Sequence, residues 1–219
     1  MRIDKKTLNA SPFIGVFGIL TDSVFLAPKT ILSKEIRGLQ ELVGVEVFKA
    51  SIADSPLLGV LGIGVKDKIA LSELAREEEL ECLQEIGLKA KRISGVTALG
   101  NLACITEKGG IVSPILSREQ ALELESFFGV KMVVSKIAGL DLVGASVVAT
   151  PKGFIVHPQA NSEEFKALKS ALRVNGMPTT ANYGDRFVGN SVLANSNAVI
   201  VGLNTTSHEL IRIEEAFHG

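Results

Sequence analysis

A pair made of a branched apolar residue and a glycine recurs along the chain at nearly constant spacing. It occurs as Ile14-Gly15, Leu58-Gly59, Leu99-Gly100, Val143-Gly144 and Val188-Gly189. Successive glycines are 44, 41, 44 and 45 residues apart. Self-similarity at a period of about 20 to 50 residues indicates that each repeat is one supersecondary unit packed against its neighbours. The chain is therefore expected to contain five equivalent units.

Turn-forming residues keep a fixed distance from these glycines. Five residues before each glycine stands a small or turn-forming residue: Ala10, Asp54, Gly95, Gly139 and Gly184. Eight or nine residues after it comes a turn cluster: Asp22-Ser23, Asp67-Lys68, Lys108-Gly109-Gly110, Pro151-Lys152-Gly153 and Asn195-Ser196-Asn197. Turn clusters between apolar runs predict β-hairpins. We therefore expect each repeat glycine to lie in the first strand of a hairpin, where glycine often marks a bend.

A helix is predicted after each hairpin. Helix-start residues follow their glycines by 17 or 18 positions: Ser33, Ser117, Ser162 and Thr206. Ser117-x-x-Gln120 and Thr206-x-x-Glu209 are capping-box patterns, and Gly44, Gly87 and Gly129 stand where helices prefer a C-terminal glycine. A short strand is expected to end each of the first four units, at about residues 45–48, 88–93, 130–134 and 177–180.

The fifth unit has no closing strand of its own, because the chain ends at Gly219 after the last helix. The apolar-containing segment 1–4 is expected to supply that strand and to close the ring, which removes open sheet edges. The sequence thus predicts an α/β fold, a five-fold pseudosymmetric α/β propeller. Its single domain spans 1–219, with repeats at approximately 10–53, 54–94, 95–138, 139–183 and 184–219.

Composition excludes several classes of protein. Net charge is −1, so no overall basic field favours binding to free DNA. No apolar run approaches the roughly 18 residues that a membrane span needs. Two cysteines are too few for a disulfide framework. A reduced, cytoplasmic protein is expected.

Residues that could carry catalysis are few. The glycine-rich stretch at 59–66 lacks the phosphate-loop pattern and lies where the repeat places a strand. Cys104 is a candidate nucleophile with His157 or His208 as base, but it falls within an apolar run, which favours a packing role. No group of His, Cys and acidic residues has metal-ligand spacing, so neither a metal nor a cofactor is expected.

The positions after the repeat glycines form the candidate binding site. They are Val16, Val60, Asn101, Ala145 and Asn190, with Ser146 one residue further on. By five-fold symmetry they are expected at one height, on a partly exposed rim. The alternative is that Asn101 and Asn190 only satisfy neighbouring backbone groups.

Several segments resemble a known family. Ala98-Leu99-Gly100-Asn101, His157-Pro158 and Gly202-Leu203-Asn204-Thr205-Thr206 are similar to the repeats of translation initiation factor 6 in its archaeal form. The resemblance runs from the first strand to the last helix. It implies the pentein fold, a five-bladed α/β propeller, and no catalysis.

The resemblance also implies a partner. Members of this family bind the large ribosomal subunit on its joining face, near the uL14 protein and the sarcin–ricin loop, and block joining of the small subunit. Eukaryotic members also act in large-subunit maturation. The rim residues Val16, Val60, Asn101, Ser146 and Asn190 are then the expected ribosome contacts of a monomer. Asn101 and Ser146 match the family's motifs, whereas Val60 replaces a basic residue of eukaryotic members.

Two alternatives stay open from the sequence. Guanidine-modifying enzymes share the pentein fold and use a cysteine nucleophile in the last repeat. Residues 184–219 contain no cysteine, which disfavours this class. A protein-interaction ring without ribosome involvement is the other alternative.

Overall fold

The computed structural model describes residues 1–218, which form five small three-stranded sheets and five long helices. The strands are β1 Arg2–Lys6, β2 Ile19–Leu20, β3 Val24–Pro28, β4 Glu46–Ala50, β5 Gly62–Val65, β6 Lys68–Leu71, β7 Lys89–Arg92, β8 Ala103–Thr106, β9 Gly109–Val112, β10 Met132–Val134, β11 Val147–Thr150, β12 Gly153–Val156, β13 Gly176–Pro178, β14 Val192–Ala194 and β15 Ala198–Gly202. The long helices are α1 Ser33–Val43, α2 Glu77–Glu85, α3 Arg118–Phe128, α4 Ser162–Leu172 and α5 Ser207–His218. No helix within this part of the chain is long and apolar enough to cross a bilayer.

All five sheets have one plan. A hairpin supplies two antiparallel strands, and a third strand joins the second in parallel, as in β2-β3-β4 and β5-β6-β7. Because a parallel connection needs a crossover, the long helix of each of the first four units lies between its second and third strands along the chain. The predicted hairpins are confirmed.

The fifth sheet takes its third strand from the start of the chain. β1 pairs in parallel with β15, with Ile3 opposite Val199. The side chains of Met1 and Ile3 pack on the buried cluster that contains Val199 and Phe217. The expected strand at 1–4 is therefore present and extends to Lys6.

The prediction that the repeat glycines lie in strands was wrong. Each lies in a single helical turn before the first hairpin strand. We call these segments the glycine turns: Ile14–Phe17, Leu58–Leu61, Leu99–Leu102, Val143–Ser146 and Val188–Ser191. In the third, Leu99 and Leu102 are three positions apart and both are buried, which is helical spacing. A single turn is too short for that period to be distinguished from a continuous apolar strand.

The glycine turns touch through their backbones. A methyl group built on any of these glycines would overlap a backbone carbonyl oxygen of another glycine turn. The pairs are Gly59 on Gly15, Gly100 on Gly59, Gly144 on Gly100, Gly189 on Gly144 and Gly15 on Gly189. Only glycine permits such a close approach, which explains why glycine occupies this position in all five units.

Strand direction gives the molecule two faces. The first hairpin strand of each unit leaves a glycine turn and ends at the hairpin turn. The second strand returns, so the long helix begins beside the glycine turns, and Ser72 N–H donates to the Leu61 carbonyl at 2.7 Å. We call the side with glycine turns and helix N-termini the glycine face, and the side with hairpin turns the hairpin face.

Polar links join neighbouring turns on the hairpin face. The links are Thr21 Oγ1 to the Lys66 carbonyl, Lys66 Nζ to Glu107, Lys108 Nζ to the Pro151 carbonyl, Lys152 Nζ to the Ser196 carbonyl, and Ser196 N–H and Oγ to the Asp22 carboxylate. Asn195 adds bonds from its amide to the carbonyls of Thr21 and Val43. Each unit is therefore tied to its neighbours at both faces.

Helix acids fix the turns between units. The five predicted turn residues Ala10, Asp54, Gly95, Gly139 and Gly184 all have positive φ. Glu79 accepts N–H bonds from Ala53 and Asp54, and Glu209 accepts them from Tyr183 and Gly184. The same carboxylates cap the start of their own helices through Arg76 and Thr206 N–H groups. One side chain thus orders both a helix end and a left-handed turn.

The helix boundaries follow the sequence with small differences. The capping boxes at Ser117 and Thr206 are confirmed. Gly44, Gly87 and Gly129 adopt the left-handed conformation at helix ends, as predicted. Asn161, not Ser162, caps α4, because its side-chain oxygen accepts the N–H groups of residues 163 and 164.

A pair of glycine-to-alanine substitutions tests the close approach. Gly100→Ala places a methyl group against the Gly59 backbone and 2.7 Å from the Gly62 carbonyl oxygen. We expect it to lower the free energy of unfolding by about 3 kcal/mol or more. Gly38→Ala is the control, because a methyl group at this helix position meets nothing within 4 Å. It should raise stability by about 0.5–1 kcal/mol in urea unfolding. Equal changes in the free energy of unfolding for Gly100→Ala and Gly38→Ala would contradict the close contact between glycine turns.

The acid network predicts a pH dependence. Burial raises the pKa of Glu209, but the hydrogen bonds from Thr206, Thr180 and Gly184 outweigh it and leave the pKa below the usual 4.5. The folded state thus binds the proton more weakly than the unfolded chain. The stabilisation contributed by the ionised Glu209 carboxylate is complete above the pKa of the unfolded chain. It is lost as pH falls through the lower pKa of the folded state.

The measurement is urea unfolding between about pH 3 and pH 7. Glu209→Gln should lower stability at pH 7 by about 1–3 kcal/mol and flatten the loss at acid pH. Glu78→Gln, on an exposed residue of α2, is the matched control. Parallel pH profiles for wild type and Glu209→Gln would contradict this role.

Candidate functional site

Four of the predicted rim residues lie together on the glycine face. Val16, Val60, Asn101 and Asn190 each directly follow a glycine of a glycine turn, and each is half-buried. The turns are in contact through their backbones, so these four side chains share the centre of that face. The equivalent residue of the fourth turn, Ala145, is buried.

Ser146 does not lie on the rim. It is fully buried, and its hydroxyl has no hydrogen-bond partner within residues 1–218. The repeat pattern predicts Ser146 on the rim, one residue after Ala145. In a helical turn, however, the second residue after the glycine points to the core, as Leu61 and Leu102 do at the equivalent positions. The backbone N–H of His157 donates to the Ser146 carbonyl at 2.8 Å. The equivalent bond comes from Ser72 in the second unit and from Ser113 in the third.

The two rim asparagines have free side chains. Within the described residues, neither the Asn101 amide nor the Asn190 amide makes a hydrogen bond, although their backbone N–H groups bond Ala98 and Phe187. The interpretation that they only satisfy local backbone groups is therefore not supported. Each amide offers one acceptor and two donor hydrogens to a partner.

Exposed apolar side chains concentrate on the glycine face. Of the twelve large apolar residues that are exposed within residues 1–218, nine lie there: Phe13, Leu32, Leu57, Leu74, Ile115, Leu140, Leu142, Tyr183 and Leu203. Phe13, Leu57 and Leu142 immediately precede glycine turns. Exposed apolar surface gathered on one side of a protein marks an interaction site. Ion pairs such as Arg76–Asp54 and Lys136–Asp141 stand among these residues.

Sequence reasoning missed Tyr183, whose side chain is 82% exposed. The signal was the interval of 45 residues between the last two repeat glycines, the longest in the chain. It reflects one extra residue in the turn before the fifth unit, where Asn182, Tyr183 and Gly184 stand between the bridged residues Ala181 and Asp185.

A cavity of about 130 Å³ lies beside the glycine turns, lined by the repeat glycines and the first strand of each hairpin. Its lining contains glycine, alanine, valine, leucine, isoleucine and Cys104, with no charged side chain. A guanidinium substrate needs carboxylates to replace its water, because burying an unpaired charge is costly. The lining of this cavity holds no carboxylate. In the adjoining pocket at the hairpin face, the carboxylates of Asp22 and Glu107 are bonded to Ser196 and Lys66.

The candidate nucleophile is unsuited to catalysis. Burial raises the pKa of the Cys104 thiol to about 12, so the reactive thiolate is absent at neutral pH. Within residues 1–218 no hydrogen bond joins Cys104 to His157 or His208. His157 instead accepts the Gln159 N–H on Nδ1, and burial together with the charge of Arg186 lowers its pKa. That part of the chain also holds no group of three metal-ligating side chains.

Solved structures of low sequence identity share the fold. Two structures of the N-terminal domain of ArgZ, one described as an arginine dihydrolase from cyanobacteria, superpose with a TM-score of 0.57 at 12% and 11% identity. Each match covers 84% of this chain and about three quarters of the other. These neighbours have the pentein fold, so five small α/β units of this kind form a known architecture.

The sequence matches one family over nearly its whole length. The model of the eIF-6 family covers residues 3–216. Proteins named translation initiation factor 6 are 37% identical in Pyrococcus abyssi and 38% in Pyrococcus furiosus, each covering 99% of this chain and 98% of the relative. The one from Methanocaldococcus jannaschii is 31% identical with 98% and 97% coverage. These relatives are translation factors and not enzymes, and this chain belongs to the eIF-6 family.

Proposed function

We propose that the protein binds the large ribosomal subunit through its glycine face and so prevents association with the small subunit. The observation that carries this proposal is the gathering of nine exposed apolar side chains and two free asparagine amides on that one face. Membership of a translation initiation factor family supports the choice of a ribosomal subunit as the partner.

The chemistry of the face suits a partner surface that is largely protein. An apolar centre with free amides and a periphery of mixed charge is typical of protein–protein interfaces. Nucleic-acid interfaces, in contrast, are strongly basic. The chain carries 23 basic and 24 acidic residues. We propose the uL14 protein as the main contact and the sarcin–ricin loop region as a neighbour at the edge.

The proposed contacts are set by the glycine turns. Val16, Val60, Asn101 and Asn190 present side chains directly to the partner. Ser146 contributes from inside, because its burial leaves it no surface to offer. We propose that Ser146 lets the larger His157 pack beneath the fourth turn.

A closed ring would keep this face rigid. We propose that residues 1–219 form one domain of five repeats, approximately 10–53, 54–94, 95–138, 139–183 and 184–219, closed by the first strand. The contact of Gly15 with Gly189, the pairing of β1 with β15 and the bonds from Ser196 to Asp22 support closure. A rigid face loses little entropy on binding, because its loops are already ordered.

Blocking is proposed to be steric. A folded body seated on the joining face of the large subunit excludes the small subunit without any chemical step. We propose that the protein acts as a cytoplasmic monomer, and that occupation of the same face serves large-subunit maturation as well. No cofactor is needed for this role.

Co-sedimentation with purified large subunits tests the proposal. The wild-type protein should bind at micromolar concentration or below and should lower the yield of joined ribosomes in a sucrose gradient. Asn101→Glu should weaken binding at least about tenfold, since an unpaired buried charge costs a few kcal/mol. Circular dichroism should show an unchanged fold, because the Asn101 side chain makes no intramolecular hydrogen bond.

Asn175→Glu is the matched control, since this exposed asparagine precedes β13 on the hairpin side. It should bind large subunits like the wild type. Absence of wild-type binding would refute the proposal. Stronger loss with Asn175→Glu than with Asn101→Glu would move the contact to the hairpin face.

A further inference from the structure

The five-fold repetition of the glycine face does not by itself determine how a partner is oriented on it. Five similar units present similar surfaces, so an asymmetric partner could dock on this face in five rotational settings, one unit apart. A unique complex requires residues that differ among the units, because specificity is a difference in affinity between competing arrangements. The inference below rests on the proposed function and concerns the side chain that selects one setting.

The turn before the fifth unit departs most from the repeat. In the second and fourth units, two residues stand between the bridged pairs Ile52–Ser55 and Ile137–Leu140. In the fifth, the bridged pair Ala181–Asp185 encloses three residues. The middle one is Tyr183, the single tyrosine of the chain. It has φ of 66° and projects an aromatic ring that is 82% exposed.

The backbone beneath this ring is firmly held. Glu209 accepts the Tyr183 N–H at 3.2 Å and the Gly184 N–H at 2.8 Å. The Asn182 N–H donates to Thr205 Oγ1 at 3.0 Å, and the buried Asn182 side chain accepts the Asn204 N–H at 3.2 Å. The ring therefore stands on an ordered loop, and binding through it costs little further ordering.

The segment that carries the tyrosine meets two other segments that carry exposed apolar residues. A methyl group built on Gly202 would overlap the Pro12 carbonyl oxygen and lie 2.8 Å from Asn182 Oδ1, so these three residues meet. Phe13, Tyr183 and Leu203 directly follow them, with exposures of 44%, 82% and 53%. We call these three side chains the seam patch, because each directly follows a residue at which the first and fifth units meet. At the position of Tyr183 the other units carry Asn9, Ala53, Ser94 and Ala138, and at that of Leu203 they carry Lys29, Glu73, Pro114 and Pro158.

The surroundings favour a protein partner over RNA. Segments 11–13, 182–185 and 202–204 contain no lysine or arginine. Their one charged residue, Asp185, accepts bonds from Ser191 Oγ and the Phe187 N–H. These three segments offer no cation to a phosphate backbone, and the guanidinium of the adjacent Arg186 bonds Gln159 Oε1. An apolar pocket would bury the three apolar side chains.

We propose that the seam patch, with Tyr183 as its anchor, inserts into an apolar pocket of a protein of the large subunit and fixes the rotational setting of the glycine face. An aromatic side chain held on a rigid loop and surrounded by apolar neighbours has the character of an interface hot spot. Tyr183 is a positioning residue for the complex.

The backbone conformation separates binding from folding. A positive φ is unfavourable for tyrosine and costs glycine nothing. Tyr183→Gly should therefore leave Tm unchanged or raise it, while affinity for large subunits falls by about 30-fold. Leu122→Ala, on an exposed residue in the middle of α3, is the control and should change affinity by less than about threefold.

A tethered probe reads the orientation directly. An iron chelate that cleaves RNA is attached at Arg118→Cys, on the glycine face, in a Cys82→Ser background that removes the exposed thiol. With the Tyr183 side chain present, one set of ribosomal RNA cuts is expected. With Tyr183→Gly at saturating concentration, several sets should appear.

Unchanged affinity and a single, unchanged set of cuts for Tyr183→Gly would overturn the inference while the proposed function stands. A fall in Tm with Tyr183→Gly would assign the residue to folding and would overturn it too. Absence of binding by the wild type would refute the proposed function and this inference together. Binding to naked ribosomal RNA that depends on Tyr183 would replace the protein partner by RNA.

Discussion

The structure depends on one close contact repeated around its centre. Each repeat glycine lies against the backbone of another glycine turn, at a distance that leaves no space for a methyl group. This contact brings the five units near enough for their buried clusters to span neighbours. Leu26 of the first unit, for example, belongs to the same buried cluster as Leu58 and Ile69 of the second. The glycine contact also sets all five turns at one face. The packing of the core and the shape of the candidate site therefore have the same cause.

The two faces have different chemistry because the units share one direction. Hairpin turns meet on one side, where lysines and an aspartate link neighbouring turns through Lys108, Lys152 and Asp22. Helix starts and glycine turns meet on the other, where Glu79 and Glu209 order the loops between units. Since these loops are held by carboxylates near the helix starts, their tips are free to carry apolar side chains. A surface suited to a partner follows from how the loops are stabilised.

The sequence predicted the unit, its number and the pairing of the first strand, because the glycine period is local and repeats five times. It did not predict the helical turn at Leu99–Leu102, since four apolar residues show no usable period. It misplaced Ser146, because one position along a helical turn reverses exposure and burial. Tyr183 was missed for another reason. Its turn is ordered by Glu209 and Thr205, more than twenty residues away in sequence, and no local pattern reports such bonds.

Hydroxyl-radical footprinting of the protein bound to large subunits shows whether the glycine face is the docking face. Oxidation is measured by mass spectrometry in the free and bound protein. We expect protection of exposed glycine-face side chains such as Leu57, Leu142 and Tyr183, with unchanged oxidation of His218 and the hairpin turns. Protection confined to the hairpin face, with Leu57 and Leu142 as reactive as in the free protein, would contradict docking through the glycine face.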